Sequence, residues 1–214
     1  MATALASPLS QIQLSSGSSI RIALTWAEYE TLLQELGDNR AVRVTYEQGW
    51  VEIRMPSKLH ELVNRLLERI IVTLTEELGM SVISLGSTRF DQDAMGQGVE
   101  PDSCFYIQNA ERIDIEAPLP VNLPPDLVVE VDISSSSKSR LKIYGTMGVP
   151  EIWRYSLQGF VILQLQAGDY VECDHSLAFP QVSTDFLQAL VERGKQANNQ
   201  NVVIRELRHS LSHL

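Results

Sequence analysis

Positive charge is scarce in this sequence: 17 Lys and Arg stand against 27 Asp and Glu, a formal net charge of −10 over 214 residues. That balance argues against a broad basic face that would hold nucleic acid through charge alone. Cysteine is scarcer still. Cys104 and Cys173 are the only two, too few for a disulfide framework, so a reducing cytoplasm is the expected compartment. No apolar run approaches the roughly 18 residues that cross a bilayer. The first twenty residues lack a basic start followed by a continuous apolar stretch, so neither a membrane span nor a secretory signal is expected. A Gly-rich phosphate loop and a nucleophile-elbow serine are also missing. With 44% hydrophobic residues and no sustained repeat, disorder, collagen and coiled coil are excluded. What remains is a globular chain long enough for one sizeable core.

The charge is unevenly spread. Residues 99–132 hold one Arg against eight acids, and 133–155 hold four Lys or Arg against one Glu, so the acid excess lies in one window and the only basic segment follows it. Several of these carboxylates sit in apolar, strand-like runs, where a charge is costly unless it is paired or bound to metal.

Periodicity sets the elements. Residues 25–36 read as a helix, with Thr25 as N-cap and Gly37 as stop. Residues 41–46 and 50–55 read as a strand hairpin through Glu47, Gln48 and Gly49. Apolar residues recur at three- and four-residue steps from Leu59 to Leu78, between a Ser57 cap and Gly79, which predicts a long amphipathic helix. Strands are expected over 81–90, 98–107 and 126–133, then a short helix over 138–147 and a strand over 149–155. A hairpin over 160–166 and 170–173 and a helix over 184–193 follow. The order helix, three strands, helix, strand implies an α/β fold with a mixed sheet flanked by helices, plus the N-terminal helix and hairpin. One domain is expected over 21–195. Residues 1–20 read as a loosely ordered N-terminus and 196–214 as a C-terminal tail.

Three carboxylates stand out. Asp102 follows Glu100-Pro101 in a strand, and Glu130 and Asp132 sit two apart in another. Strand side chains alternate, so Glu130 and Asp132 share one face. Two carboxylates on an apolar strand repel each other, and a hard divalent cation such as Mg²⁺ would relieve that conflict. Pairing with nearby Arg or Lys at a strand end is the competing expectation.

The series Glu100-Pro101-Asp102, then Pro124-Pro125-Asp126 leading to Glu130-Val131-Asp132, then Ile143-Tyr144 and Gly148-Val149-Pro150-Glu151-Ile152-Trp153, resembles the Uma2 family of endonucleases. That family belongs to the PD-(D/E)xK restriction-endonuclease-like superfamily, and the resemblance covers roughly residues 20–175. It implies a restriction-endonuclease-like αβββαβ core. It also implies Asp102 and Glu130 as the two acids that hold Mg²⁺ or Mn²⁺, and hydrolysis of DNA phosphodiester bonds. The superfamily's lysine would fall at Asp132, which carries the opposite sign. Counting back from Tyr144, the basic residue that the family places in the following helix falls on Arg140, with Lys142 close by. Arginine stays charged and clamps phosphate, but it is a poor proton acceptor. His60 falls where the family often has a histidine. The expected site is thus Asp102, Glu130 and Asp132 as metal ligands with Arg140, Lys142 and His60 around them. A non-catalytic binding or assembly module of the same fold is the alternative, and a homodimer is compatible with either. Arg154 is expected at a strand end in solvent or on phosphate, and Glu61 in solvent. Cys173-Asp174-His175 is a weak zinc reading, and Tyr106, Tyr144 and Trp153 read as core.

Overall fold

A computed structural model describes residues 14–37, 41–92, 95–120, 122–133 and 136–212. Two sheets carry the chain. The first has the order β1-β3-β2-β6-β5, from β1 (Ser19–Ala23), β2 (Arg43–Glu47), β3 (Trp50–Arg54), β5 (Phe90–Gln92) and β6 (Gln97–Val99), all antiparallel. Alternation sends Val44, Tyr46, Val51 and Ile53 to one face, where α1 (Trp26–Leu36) covers them with Tyr29, Leu32 and Leu33. A capping box opens α1: Glu28 N–H donates to Thr25 Oγ1 (3.3 Å) and Thr25 N–H donates to Glu28 Oε2 (2.7 Å). The β2–β3 turn needs positive φ at both central residues, Gln48 (45°) and Gly49 (86°), and the glycine takes the larger value without strain.

The second sheet runs β11-β10-β9-β8-β7-β4, from β4 (Ile83–Gly86), β7 (Ser103–Tyr106), β8 (Leu127–Asp132), β9 (Glu151–Ser156), β10 (Gly159–Gln166) and β11 (Asp169–Cys173). Strands β8 and β9 are parallel and joined by α3 (Lys138–Met147), while their neighbours are antiparallel. The sheet is mixed, as expected. The amphipathic stripe from Leu59 onward forms α2 (Lys58–Glu77), capped by Ser57, whose hydroxyl accepts from His60 N–H. On one face of the sheet α2, α4 (Thr184–Gln196) and α5 (Asn201–Leu211) bury Val129, Val131, Trp153 and Ile162. On the other, Ile143 and Tyr144 of α3 pack on Cys104, Val128, Ile152 and Leu163. The series α2, β4, β7, β8, α3, β9 is the expected αβββαβ core.

Several boundaries differ. The strand expected over 98–107 is two strands in different sheets, because the chain leaves the first at Glu100, passes through Pro101, which has no N–H for a ladder, and joins the second at Ser103. The strand expected over 81–90 likewise divides into β4 and the start of β5. The expected C-terminal tail is corrected over Asn201–Leu211: α5 buries Val203, Ile204 and Leu207 against the core. Of the N-terminal stretch, Ser19 and Ile20 belong to β1, and residues 1–13 lie outside the described residues.

Candidate active site

Alternation along β8 places Leu127, Val129 and Val131 under α2, so Glu130 and Asp132 share the other face, as expected, and that face is the one α3 covers. Asp102 stands at the entry to β7, whose Ser103 pairs with Val129 of β8. Its carboxylate stands in for a ladder carbonyl: Val131 N–H donates to Asp102 Oδ2 at 2.8 Å. His60, on the first turn of α2, holds the same oxygen through Nε2 at 2.9 Å. Beside it, Asn64 Nδ2 donates to the Asp102 carbonyl (3.2 Å), and Ser103 Oγ donates to Asn64 Oδ1 (3.0 Å). The start of α2 is thereby fastened to the first acid.

Burial alone would raise the Asp102 carboxyl. The hydrogen bond from His60, then the charge of Arg54, outweigh it and hold Asp102 well below the usual carboxylate range. Arg54 comes from β3. Its Nη1 lies 3.8 Å from Asp102 Oδ1, and its Nη2 donates to the Glu100 carbonyl at 3.2 Å.

Glu130 is wholly buried and takes a bidentate fork from Arg140: Nε to Oε1 at 2.9 Å and Nη2 to Oε2 at 2.6 Å. Tyr144 O–H donates to Oε1 at 2.5 Å from one turn further along α3. Burial pushes the Glu130 carboxyl up against the pull of Arg140, and burial together with Glu130 raises the Tyr144 phenol, which stays a neutral donor. Burial works against the Arg140 charge, but Glu130 outweighs it, so the guanidinium remains protonated. Arg140 also reaches Asp132 Oδ1 (3.3 Å) and, more loosely, Glu52 Oε2 of β3 (3.8 Å). The other Asp132 oxygen accepts from the N–H (3.0 Å) and hydroxyl (2.8 Å) of Ser137, where a carboxylate suits the start of α3.

Of the expected residues, Asp102, Glu130, Asp132, Arg140 and His60 come together. Lys142 does not: it is exposed on α3, about 200° around the helix from Arg140. Among the described residues no group of three His, Cys, Asp or Glu side chains converges as a metal cluster, because Arg140 stands among the acids and Asp132 is engaged at α3. Two carboxylates nevertheless suit a hard cation. Asp102 Oδ1 is buried without a hydrogen-bond partner, the kind of atom that Mg²⁺ or Mn²⁺ satisfies, and Glu130 lies within electrostatic reach of Asp102 on the neighbouring strand. Glu52 and Arg54 escaped the sequence reading, although their alternation with Val51 and Ile53 marks one polar face of β3.

The remaining expectations resolve simply. Arg154 pairs with Glu172 (3.9 Å), and Glu61 with Arg65 (3.9 Å). Trp153, Tyr106 and Tyr144 are core, and both cysteines are free thiols. Among the described residues no helix is long and apolar enough to cross a membrane.

A mixed sheet that carries two acids on neighbouring strands, backed by a helix that supplies the cation, defines a restriction-endonuclease-like protein. The chain belongs to the Uma2 family, described as "Putative restriction endonuclease", whose profile matches residues 26–192. A solved structure from Anabaena variabilis ATCC 29413, titled a "putative nuclease belonging to DUF820", is similar in fold, with a TM-score of 0.51. The likeness covers 86% of this chain and 99% of that one at 13% identity. No curated protein matches the chain.

Proposed function

We propose that this protein is an endonuclease that hydrolyses DNA phosphodiester bonds with Mg²⁺ or Mn²⁺ at Asp102 and Glu130. The observation that carries the reading is the buried Asp102 Oδ1 without a hydrogen-bond partner, beside Glu130 and next to a fixed guanidinium. When bound, the ion would supply charge for the phosphate and acidify a water. His60 holds Asp102 in place from its other oxygen. Arg140, permanently charged and buried against Glu130 and Asp132, sets positive charge behind the two acids, where it would offset negative charge that develops in the transition state. Family membership supports the same reading.

Purified protein incubated with plasmid and oligonucleotides in Mg²⁺ or Mn²⁺ is expected to cleave, with Asp102→Asn and Glu130→Gln at least about a hundredfold slower. Absence of cleavage, or variants as fast as the native chain, would defeat it. The two-pronged Arg140–Glu130 pair favours one second reading, a non-catalytic module in which arginine replaces the metal. Calorimetry separates them, since that module takes up no Mn²⁺.

A further inference from the structure

Alternation buries one face of the N-terminal sheet under α1 and leaves the other polar: Arg21, Thr45, Glu47, Trp50 and Glu52 border a cavity of about 300 Å³, closed by Ser139 of α3. That volume is at the small end for ligand pockets, with room for one base and not for a duplex. Its lining is specific. Trp50 is 46% exposed, an unusual state for an indole unless something stacks on it. The Arg21 guanidinium lies 5.1 Å from the indole centroid and covers one face of the ring, so a ligand that stacks on Trp50 takes the other face. Thr45 is 4% exposed, and its hydroxyl is buried without a hydrogen-bond partner, so it lacks the contact that a buried polar group requires. Glu47 and Glu52, when ionised, only accept hydrogen bonds, so a ligand lying between them must bring N–H groups. The cavity also adjoins the acids: Ser139 precedes Arg140, and Glu52 Oε2 is 3.8 Å from Arg140 Nη1.

We infer that this cavity takes one unpaired nucleobase bearing an exocyclic amino group, from a strand that passes the acid site. The inference rests on the nuclease reading for its polymer and on the cavity for its base. Adenine, cytosine and guanine present an exocyclic amino group with two N–H donors to the carboxylates, whereas thymine offers a single N3–H flanked by two carbonyl oxygens that the carboxylates repel. Stacking on Trp50 supplies the affinity, and Thr45 with the two glutamates supplies the choice.

Titration of the full chain with tetradeoxynucleotides of C, A or T, without divalent cation, tests this through tryptophan fluorescence. Trp153 is buried, Trp26 packs against Tyr29 and Tyr46 on the opposite face of the sheet, and Trp50 is exposed at the cavity, so the signal is expected from Trp50. The C and A oligonucleotides should quench and bind roughly tenfold more tightly than T. Trp50→Ala should abolish the quench and weaken binding by roughly tenfold or more. Thr45→Val, close to isosteric and checked by an unchanged Tm, should narrow the preference. Equal binding of T, unaltered binding by Trp50→Ala, or no binding to the native chain would each overturn the assignment. Plasmid cleavage in Mn²⁺ run alongside separates the two ideas. Cleavage without base preference removes the cavity assignment alone, and base-selective binding without cleavage removes the catalytic reading alone.

Discussion

Arg140 and Glu130 meet side by side, Nε on Oε1 at 2.9 Å and Nη2 on Oε2 at 2.6 Å, and neither side chain reaches solvent. Such a pair adds little net stability over an apolar replacement, but each half depends on the other. Arg140→Ala should therefore cost about 3–5 kcal/mol of unfolding free energy, since it strands Glu130 and releases Asp132. Urea denaturation measures this. A loss below about 1 kcal/mol would mean that the pair behaves like a surface ion pair.

Asp102 should contribute stability with a definite pH sign. Its folded-state carboxyl lies below its unfolded value of about 3.9, so its contribution is present above that pH and lost as pH falls through the folded value. Glu130 and Glu151, pushed up mainly by burial, run the other way: their contribution is present at low pH and lost as pH rises. The difference in unfolding free energy between native protein and Asp102→Asn isolates the first effect. It should shrink below about pH 4, and a difference that is flat from pH 6 to pH 3 would contradict the pairing with His60 and Arg54.

The two thiols should react at different rates. Burial pushes Cys104 up to about 12, while Cys173 is partly exposed at the end of β11. Iodoacetamide at pH 8 should modify one equivalent per native chain, located to Cys173 by peptide mass, and a second only in denaturant. Equal labelling of both in the native protein would show that β7 opens easily.

Helix α4 lies close against α2 at Gly194, where an added Cβ would run into the Leu66 side chain. Gly194→Ala should lose about 1–3 kcal/mol despite the better helix propensity of alanine, because overpacking outweighs it. A higher Tm for the variant would show that Leu66 repacks without penalty.

The long helix and the acid-bearing strand were readable because each is periodic over its own length. Leu59 to Leu78 repeat every three or four residues, and Leu127 to Asp132 place two carboxylates on one side of an apolar strand. The division at Pro101 was not readable. Residues 98–107 read as one strand with Glu100-Pro101-Asp102 inside it, and the pairing partners, β2 and β5 for one half and β4 and β8 for the other, separate it. Helix α5 was obscured by the Asn- and Gln-rich residues before it, although Val203, Ile204 and Leu207 have helical spacing. At the site, the acids, His60 and Arg140 carried local signals. Glu52 and Arg54 did not, because Arg54 reaches Asp102, and Glu52 reaches Arg140, only through the placement of a second sheet more than 45 residues away in sequence from Asp102.

The crossing at Glu100-Pro101-Asp102 is fastened at both ends. Glu100 accepts from Val44 N–H of the first sheet (3.0 Å), and Asp102 accepts from Val131 N–H of the second (2.8 Å). Three residues reach no further than about 10 Å. The two sheets therefore cannot draw apart here. Residues 87–89 join β4 to β5 by another three-residue crossing, so the first acid lies where short connections hold the two sheets together.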